Sequence, residues 1–393
     1  RAWSRSVLSG GRRVVVACGV SLVDDGQVPA VPAPAARFMA MPGHTTSVPD
    51  SRVAILAHEK FPDRSKTANG VLRYADREAV AVLDRDRAGE RVADHLPDVQ
   101  DAPIVDSFAA ARDHDAVDGI DELLIGIAPI GGGFDESWRA DVQAAIRAGC
   151  DVTSGLHYFL GDDEGFASLA AEHDVTLDDV RRPPDDIGVA EGRAGEVDAE
   201  VVLTVGTDCS VGKMTTTMEL AAAAEAAGID TAVVPTGQTG IVIEGWGTPV
   251  DRVVSDFTAG AVEEMVVAVG DDHDLVLVEG QGSIVHPAYS AVTCGILHGA
   301  APDALVLCHA HGREAIHGYE ATTLPPLSSY VDRYESLAAP VQETEVVAGS
   351  LNTRAVDDDA DARAAVEQFG EEIDAPATDP LRFGADGLVE TIR

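Results

Sequence analysis

The chain has 393 residues, 45% of them hydrophobic and only 5% aromatic, which is enough to build the cores of two domains from mostly small and aliphatic side chains. Its 67 acidic and 28 basic residues give a formal net charge of −39. A surface of that sign repels nucleic acid and anionic membrane, so neither is expected as a partner. Because such self-repulsion is tolerated only where salt screens it, the composition is typical of a halophilic protein from a salt-rich cytoplasm, such as that of haloarchaea.

Other features of the composition agree with a cytoplasmic location. The five cysteines are scattered and form no CxxC pair, which favours a reducing compartment over a disulfide framework. No apolar run reaches the roughly eighteen residues of a membrane span. We therefore expect a protein that acts on a small molecule, and the sequence is compatible with a homo-oligomer.

Residues 1–49 differ from the rest of the chain. They begin without Met, carry Arg1, Arg5, Arg12 and Arg13 near the start and run into Ala/Pro-rich sequence. The apolar run 14–20 is short for a signal peptide. We interpret this segment as a disordered extension or as the product of a misassigned start, with Met39 or Met41 as the real first residue.

Residues 50–182 predict a Rossmann-like α/β domain. Apolar strands are expected at 52–57, 79–83, 102–105 and 122–128, and a further strand and turn at 150–159. Helical patterns occur at 107–112, in the segment that ends at 148, and at 164–172, so that helices separate or follow these strands. Strands that alternate with helices indicate a parallel sheet covered on both faces. The polar segment 183–199 is predicted to be the linker to a second domain.

A glycine-rich loop, residues 129–133, follows the strand 122–128, and Asp135 is placed to cap the next helix. The loop lacks the spaced G-x-G-x-x-G pattern, so a plain turn is favoured over a dinucleotide-binding loop. His157 is either a site residue or an ordinary turn histidine.

Positive charge is concentrated in the segment 60–74, which holds two of the three lysines in the chain. In so acidic a protein this patch is a candidate site for a carboxylate or phosphate, the alternative being a solvated loop. Lys66 and Arg73 are the substrate-binding candidates.

Residues 200–393 predict a P-loop α/β domain. A buried strand ends at Gly206, a loop closed by Gly212 and Lys213 follows, and a helix begins at Met214. Glycines that allow a tight turn, a lysine and a helix N-terminus together bind a polyphosphate. The candidate cofactor-binding residues are Gly206, Thr207, Asp208, Cys209, Ser210, Val211, Gly212, Lys213, Met214, Thr215 and Thr216.

The spacing of this loop departs from the usual motif. Five residues separate the two glycines instead of four, and Met214 follows Lys213 where a Ser or Thr is usual. The hydroxyl that would bind a metal is therefore either Thr215 or Thr216. The alternative is a glycine-rich strand-to-helix turn with a solvated lysine.

Further apolar strands are expected at 231–234, 274–279 and 303–308, and the strand 274–279 ends at Glu279. An acidic residue at this place holds Mg²⁺ in P-loop folds, with Asp208 as a second oxygen donor. The alternative is a carboxylate that caps the strand end. Since ligands of open α/β sheets bind beyond the carboxyl ends of strands, further substrate-binding candidates are Gln238, Thr239, Gln281 and Arg313.

Several histidines follow these strands. His286 and His309 are read as lining the cleft and are the catalytic candidates. A zinc site at Cys308, His309 and His311 is disfavoured, because a fourth ligand at a recognisable spacing is missing.

Two motifs, 206–213 and 278–282, resemble the phosphate loop and acidic strand end of dethiobiotin synthetase, including the five-residue spacing. A wider resemblance covers nearly everything from residue 52 onward. Its motifs, 66–74, 154–157, 234–240, 278–289 and 302–309, occur in the order found in a prokaryotic two-domain P-loop family, formerly of unknown function, that includes D-glutamate N-acetyltransferase. The chain is identified as a member of that family.

The resemblance implies transfer of an acetyl group from acetyl-CoA to the amine of a D-amino acid, with the phosphate loop holding the diphosphate and an amino-acid epimerase or racemase as functional partner. His286 or His309 would be the general base, and backbone N–H groups of the turn 280–283 would bind the oxyanion. A Mg²⁺–ATP-dependent ligase or kinase is the rival interpretation, and a non-catalytic nucleotide-dependent switch is a third. Acetyl-CoA and ATP, with or without Mg²⁺, thus both stay open as ligands.

Overall fold

The computed structural model describes residues 51–129 and 131–392, so our interpretation of residues 1–49 lies outside the described residues. Two six-stranded sheets, each parallel throughout, form the centres of two α/β domains. The predicted fold class is therefore confirmed.

The first domain is built on a sheet with the strand order β3-β2-β1-β4-β5-β6. Its inner strands are almost wholly buried, as expected for parallel strands covered by helices on both faces. The strands are β1 (Arg52–Leu56), β2 (Glu78–Leu83), β3 (Ile104–Val105), β4 (Glu122–Ile125), β5 (Asp151–Ser154) and β6 (Leu177–Asp179).

Within residues 51–129 and 131–182, four helices accompany this sheet: α1 (Lys66–Tyr74), α2 (Phe108–Arg112), α3 (Arg139–Arg147) and α4 (Glu164–His173). Side-chain caps set where two of them begin, since Ser107 accepts a hydrogen bond from the Ala110 N–H, and Asp163 accepts from the N–H groups of Gly165 and Phe166. Asp135 caps a short 3-10 turn, Glu136–Trp138, that leads into α3.

The second domain has the strand order β14-β13-β10-β7-β9-β8. Its strands are β7 (Glu200–Gly206), β8 (Thr231–Val234), β9 (Leu275–Val278), β10 (Ala304–Ala310), β13 (Glu345–Asn352) and β14 (Ala377–Thr378). A separate antiparallel hairpin, β11 (Ala315–Ile316) with β12 (Tyr319–Thr323), follows β10 and is not predicted by the sequence pattern.

Eight helices belong to this domain. They are α5 (Lys213–Ala226), α6 (Gln238–Glu244), α7 (Thr258–Val269), α8 (Ser290–Ala300), α9 (Ser328–Ala338), α10 (Asp359–Ile373), α11 (Pro380–Phe383) and α12 (Asp386–Val389). The order of the strands reverses between β7 and β9, because the chain passes from β7 to β8 on one side of the sheet and from β9 to β10 on the other. A crevice therefore opens beyond the carboxyl ends of β7 and β9, the place where open α/β sheets bind ligands.

The two domains meet through α1 and α6. Val71 and Leu72 of α1 belong to the same buried apolar cluster as Met214 and Ile241 of the second domain. The hydroxyls of Thr67 and Thr239 are 2.9 Å apart across this seam. The interface is therefore apolar with a few fixed polar contacts, and it holds the start of α1 over the crevice.

None of the helices formed by residues 51–129 and 131–392 combines the length and apolar character needed to cross a bilayer.

Candidate functional site

The loop after β7 has the backbone geometry of a phosphate cradle. Ser210 (φ 56°) and Gly212 (φ 110°) both adopt positive φ, and α5 begins immediately afterwards at Lys213. Gly212 is suited to this place because residues with a Cβ rarely adopt such an angle. These turns bring successive N–H groups to one side of the loop.

Those N–H groups are free of protein acceptors in the part of the chain that the structure describes. Among the described residues, no acceptor bonds the backbone N–H of any residue from Ser210 to Thr215. The first N–H groups of a helix carry the positive end of its dipole, and unpaired donors cost free energy wherever water cannot reach them. The loop is therefore arranged to receive an anion.

Lys213 supplies the positive charge. Its side chain is buried, and its Nζ donates to the backbone oxygen of Asp208 at 2.9 Å. Burial lowers the pKa of this ammonium group below its ordinary value. No carboxylate among the described residues forms an ion pair with it, so an anion in the cradle would provide the missing counter-charge.

Asp208 holds the loop in place. Its Oδ2 accepts from Arg313 Nη1 and from the backbone N–H of His317, both at 2.8 Å, and its Oδ1 accepts from the Cys209 N–H at 2.7 Å. One ligand atom each of Asp208, Cys209 and His286 lie within 4.8 Å of one another, the spacing of a metal site. Since Arg313 already neutralises the carboxylate, the geometry assigns Asp208 to the link between loop and hairpin.

A pocket of about 160 Å³ opens over the cradle. It is lined by Lys66, Cys209, Ser210, Gly212, Lys213, Met214, Thr215, Gly237, Gln238, Glu279, Gly280, Gln281 and Gly282. The lining joins four segments: the phosphate loop, the turn before α6, the turn after β9 and the start of α1.

Glu279 is the sole carboxylate among the described residues that line the pocket. It is 3% exposed, and its Oε2 accepts from the Gly237 N–H at 3.2 Å. Burial raises the pKa of this carboxyl group, and the positive charge of Lys66 is the largest of the contributions that lower it. A divalent ion at Glu279 would need the Thr215 hydroxyl and oxygen atoms of the ligand itself to complete its ligands.

The turn after β9 leaves no room for a larger residue at Gly280. A Cβ at Gly280 would lie 1.8 Å from the backbone oxygen of Thr204, and the Gly280 N–H donates to the Thr204 hydroxyl. This close approach holds the turn against β7, just before the phosphate loop. It also uses the Gly280 N–H, so an oxyanion could draw only on the later N–H groups of the predicted turn.

The structure divides the predicted substrate-binding residues into two groups. Lys66, Gln238 and Gln281 line the pocket. Arg73 instead donates to backbone oxygens of Pro97 and Asp98 in its own domain.

The other two predicted substrate-binding residues also have partners within the protein. Thr239 bonds Thr67 across the domain seam, and Arg313 is paired with Asp208. Of the two candidate hydroxyls, Thr215 lines the pocket, whereas Thr216 is buried and bonds Ser350 at 2.7 Å.

His286 lies behind the pocket lining and is 2% exposed. Its Nε2 donates to the His317 backbone oxygen, and its Nδ1 accepts from the Ala288 N–H, both at 3.2 Å. Its ring packs against Tyr289 and Tyr319. Both ring nitrogens are thus engaged, which fixes the neutral Nε2–H tautomer.

His309 lies on the other side of the phosphate loop. Its Nδ1 is 2.7 Å from the Thr207 hydroxyl, and its ring stacks on Phe369. Burial, helped by Arg313, lowers the pKa of His309 to about 4. The ring is therefore neutral at pH 7, but it lines a separate cavity of about 120 Å³.

Sequence reasoning does not identify Gly237 as a site residue. Its N–H holds the Glu279 carboxylate, and a Cβ at Gly237 would lie 3.5 Å from both carboxylate oxygens. The signal available is the Thr-Gly-Gln turn after β8, which lies beside β9 in the sheet.

The first domain is built on a parallel sheet. In the second domain, a strand leads into an anion cradle with a buried lysine, and a neighbouring strand ends in a carboxylate. These features define a two-domain P-loop protein. The chain belongs to the DUF1611 family. The family's P-loop domain, described as a domain of unknown function, matches residues 188–389, and its Rossmann-like N-terminal domain matches residues 85–183.

Relatives and a solved structure agree with this membership. D-glutamate N-acetyltransferase of Tritonibacter scottomollicae is 39% identical over 277 residues, 70% of this chain and 81% of that protein. The protein of the same name from a Pseudoalteromonas species is 36% identical over 275 residues, 70% and 82% of the two chains. A crystal structure of a DUF1611 family protein from Anabaena variabilis superposes with a TM-score of 0.82 at 37% identity, covering 87% of this chain and 99% of that one. The resemblance noted in the sequence is thereby confirmed.

Proposed function

We propose that this protein is an N-acetyltransferase that moves the acetyl group of acetyl-CoA to the amine of a D-amino acid such as D-glutamate. The observation that carries the proposal is the row of unpaired N–H groups from Ser210 to Thr215 around the buried Lys213. Two relatives at 36–39% identity that are named D-glutamate N-acetyltransferase support the choice of reaction.

The phosphate loop would hold the donor through its diphosphate. The N–H groups, the α5 N-terminus and Lys213 suit two adjacent phosphates as well as they suit a nucleotide. A pocket of about 160 Å³ takes only the charged part of so large a molecule. The arm between the diphosphate and the thioester is a flexible chain of single bonds, so a donor anchored here can still reach an amine in the same pocket.

The reaction forms a bond between the amine nitrogen and the acetyl carbon and breaks the C–S bond of the thioester. The amine must lose a proton, and the departing thiolate must gain one. His286 and His309 stay the proposed general bases, and His286 could accept a proton only if the Ala288 N–H released its Nδ1. His309 is neutral at pH 7, but its pKa of about 4 makes it a weak base, and neither ring lines the pocket around Lys213.

The test is thiol release. Wild-type protein at molar KCl is mixed with acetyl-CoA and a panel of D- and L-amino acids, and free thiol is read with a thiol-reactive dye. We expect release with D-glutamate, and we expect it to persist when Mg²⁺ is chelated, because thioester aminolysis needs no metal.

A Mg²⁺–ATP-dependent ligase or kinase is the second candidate. It is favoured by Glu279 at the acidic strand end and by Thr215, which lines the same pocket. ATP consumption that depends on Mg²⁺ and on a carboxylate or amine, without thiol release from any amino acid, would replace the acetyltransferase proposal with this one. In that case Glu279→Gln should abolish turnover.

A further inference from the structure

Lys66 is the one residue of the first domain among those that line the pocket. It is the first residue of α1, and among the described residues it has no hydrogen-bond or ion-pair partner. Such an ammonium group, brought to the rim of an anion site, is free to bind a ligand.

The position of Lys66 is fixed by close packing behind it. Thr67 bonds Thr239, and a Cβ at Gly70 would lie 3.0 Å from a methyl group of Thr239 and 3.1 Å from one of Ile243. The first turns of α1 are thus seated on α6, whose first residue, Gln238, also lines the pocket. Lys66 is held over the pocket by this contact.

Glu279 lies on the other side of the same pocket. Its carboxylate is buried and has one N–H donor, from Gly237, but no ion-pair partner among the described residues. Apart from Lys213 in the phosphate loop, the described residues that line the pocket therefore include one cation, Lys66, and one anion, Glu279, and the two do not bond each other. An amino-acid head group carries the complementary pair, a carboxylate beside an ammonium group.

We propose that this part of the pocket binds the head group of the acceptor amino acid, with Lys66 on its α-carboxylate and Glu279 on its amine. The inference rests on the proposed function for the identity of the acceptor. It assigns Lys66, from the first domain, a direct part in substrate binding, and it assigns Glu279 to the amine in place of a metal ion.

The experiment measures binding of three ligands by calorimetry at molar KCl, without acetyl-CoA. D-Glutamate carries both head-group charges, glutarate lacks the amine, and 4-aminobutanoate lacks the α-carboxylate. Wild-type protein should bind each analogue roughly ten- to a hundredfold more weakly than D-glutamate, because one charge-assisted contact is lost.

The two variants should respond in opposite ways. Lys66→Gln should weaken the binding of D-glutamate and glutarate by roughly ten- to a hundredfold and leave the binding of 4-aminobutanoate unchanged. Glu279→Gln should weaken the binding of D-glutamate and 4-aminobutanoate and leave the binding of glutarate unchanged. Binding of inorganic pyrophosphate to each variant shows that the neighbouring phosphate loop is intact.

Lys60→Gln is the matched control. Lys60 belongs to the same positive segment but does not line the pocket, so the three affinities should match those of wild type. Loss of 4-aminobutanoate binding in Lys66→Gln would place Lys66 on the side-chain carboxylate and overturn the assignment. Absence of D-glutamate binding to wild type, or Mg²⁺ binding that Glu279→Gln removes, would also overturn it.

The binding pattern separates this inference from the proposed function. If the pattern holds and no thiol is released, the head-group site stands and the acetyl donor is wrong. If thiol is released and both variants bind all three ligands as wild type does, the enzyme stands and the head-group site is wrong.

Discussion

Each domain carries a glycine-rich loop at the carboxyl end of a parallel strand, and the two loops differ in the partners of their backbone groups. In the loop after β4, the Gly132 backbone oxygen accepts from the N–H groups of His157 and Tyr158, and a Cβ at Gly132 would collide with the His157 ring. In the loop after β7, the N–H groups point into a pocket and have no acceptor among the described residues.

Glycine content alone therefore does not mark a phosphate site. The loop after β4 has no lysine and packs against a histidine of its own domain. Its glycines therefore form a plain turn, the structure that the sequence predicts for this loop. The loop after β7 adds a buried cation, a fourteen-residue helix that begins at the loop, and a carboxylate on the next strand. These three additions are what distinguish a ligand site from a turn.

The largest expected effect concerns both domains together. With a net charge of −39, lowering KCl from molar to tenths of molar should lower the melting temperature strongly or unfold the chain, because repulsion is no longer screened. The measurement is a thermal melt by circular dichroism across KCl concentrations. A melting temperature that is constant over that range would rule out the halophilic interpretation.

The two loops can be compared directly through one glycine next to each site. Gly280→Ala should destabilise the fold by about 1–3 kcal/mol or more and impair ligand binding, because its Cβ would overlap the Thr204 oxygen. Gly133→Ala, with no atom within 4 Å of its Cβ, should change stability by no more than about 0.5 kcal/mol. Denaturant unfolding of both variants measures the difference. Equal effects would mean that the turn after β9 is not as tightly packed as described.

A smaller effect distinguishes the histidines beside the two loops. Burial lowers the pKa of His309 to about 4. Burial and the charge of Arg181 also lower the pKa of His157, but because its side chain is 36% exposed we expect a smaller effect on stability. A lowered pKa means that the unfolded chain binds more protons, so stability falls as the pH drops from about 6.5 towards 4.

Between pH 6.5 and pH 4, His309→Gln should therefore lose less stability than wild type. His157→Gln should also lose less stability than wild type, but by a smaller margin than His309→Gln. Thermal melts of the three proteins at matched KCl provide the comparison, since the general titration of carboxylates is common to all. The same change in His157→Gln as in His309→Gln would contradict the difference in burial.

The fold follows largely from sequence periodicity. The strands β1, β2, β7, β8, β9 and β10 are predicted within a few residues, because buried parallel strands read as short apolar runs between polar turns. The helices α7 and α8 are not predicted. They pack closely against each other, and a Cβ at Gly299 would lie 2.3 Å from the Ala259 backbone oxygen. Such a glycine looks like a turn signal in sequence but serves a helix contact.

The phosphate loop is likewise visible in sequence, but the pocket around it depends on docking between domains. Lys66 and Arg73 lie about 10 Å apart along α1, and no pattern tells which end of the helix meets the pocket. The contact of Thr67 and Gly70 with α6 decides in favour of Lys66. The roles of Asp208 and Thr239 are set in the same way, by partners that lie far away in the sequence.

The central claim is that the loop after β7 binds the donor through its diphosphate, and the affinity of Lys213→Ala for CoA tests it most directly. Loss of a charge-assisted contact of about 1.5–3 kcal/mol predicts binding roughly ten- to a hundredfold weaker than wild type, with Lys60→Ala as a control that binds normally. Calorimetry at molar KCl gives the dissociation constants. An unchanged affinity of Lys213→Ala for both CoA and ATP would contradict the claim and make the loop a structural turn like the one after β4.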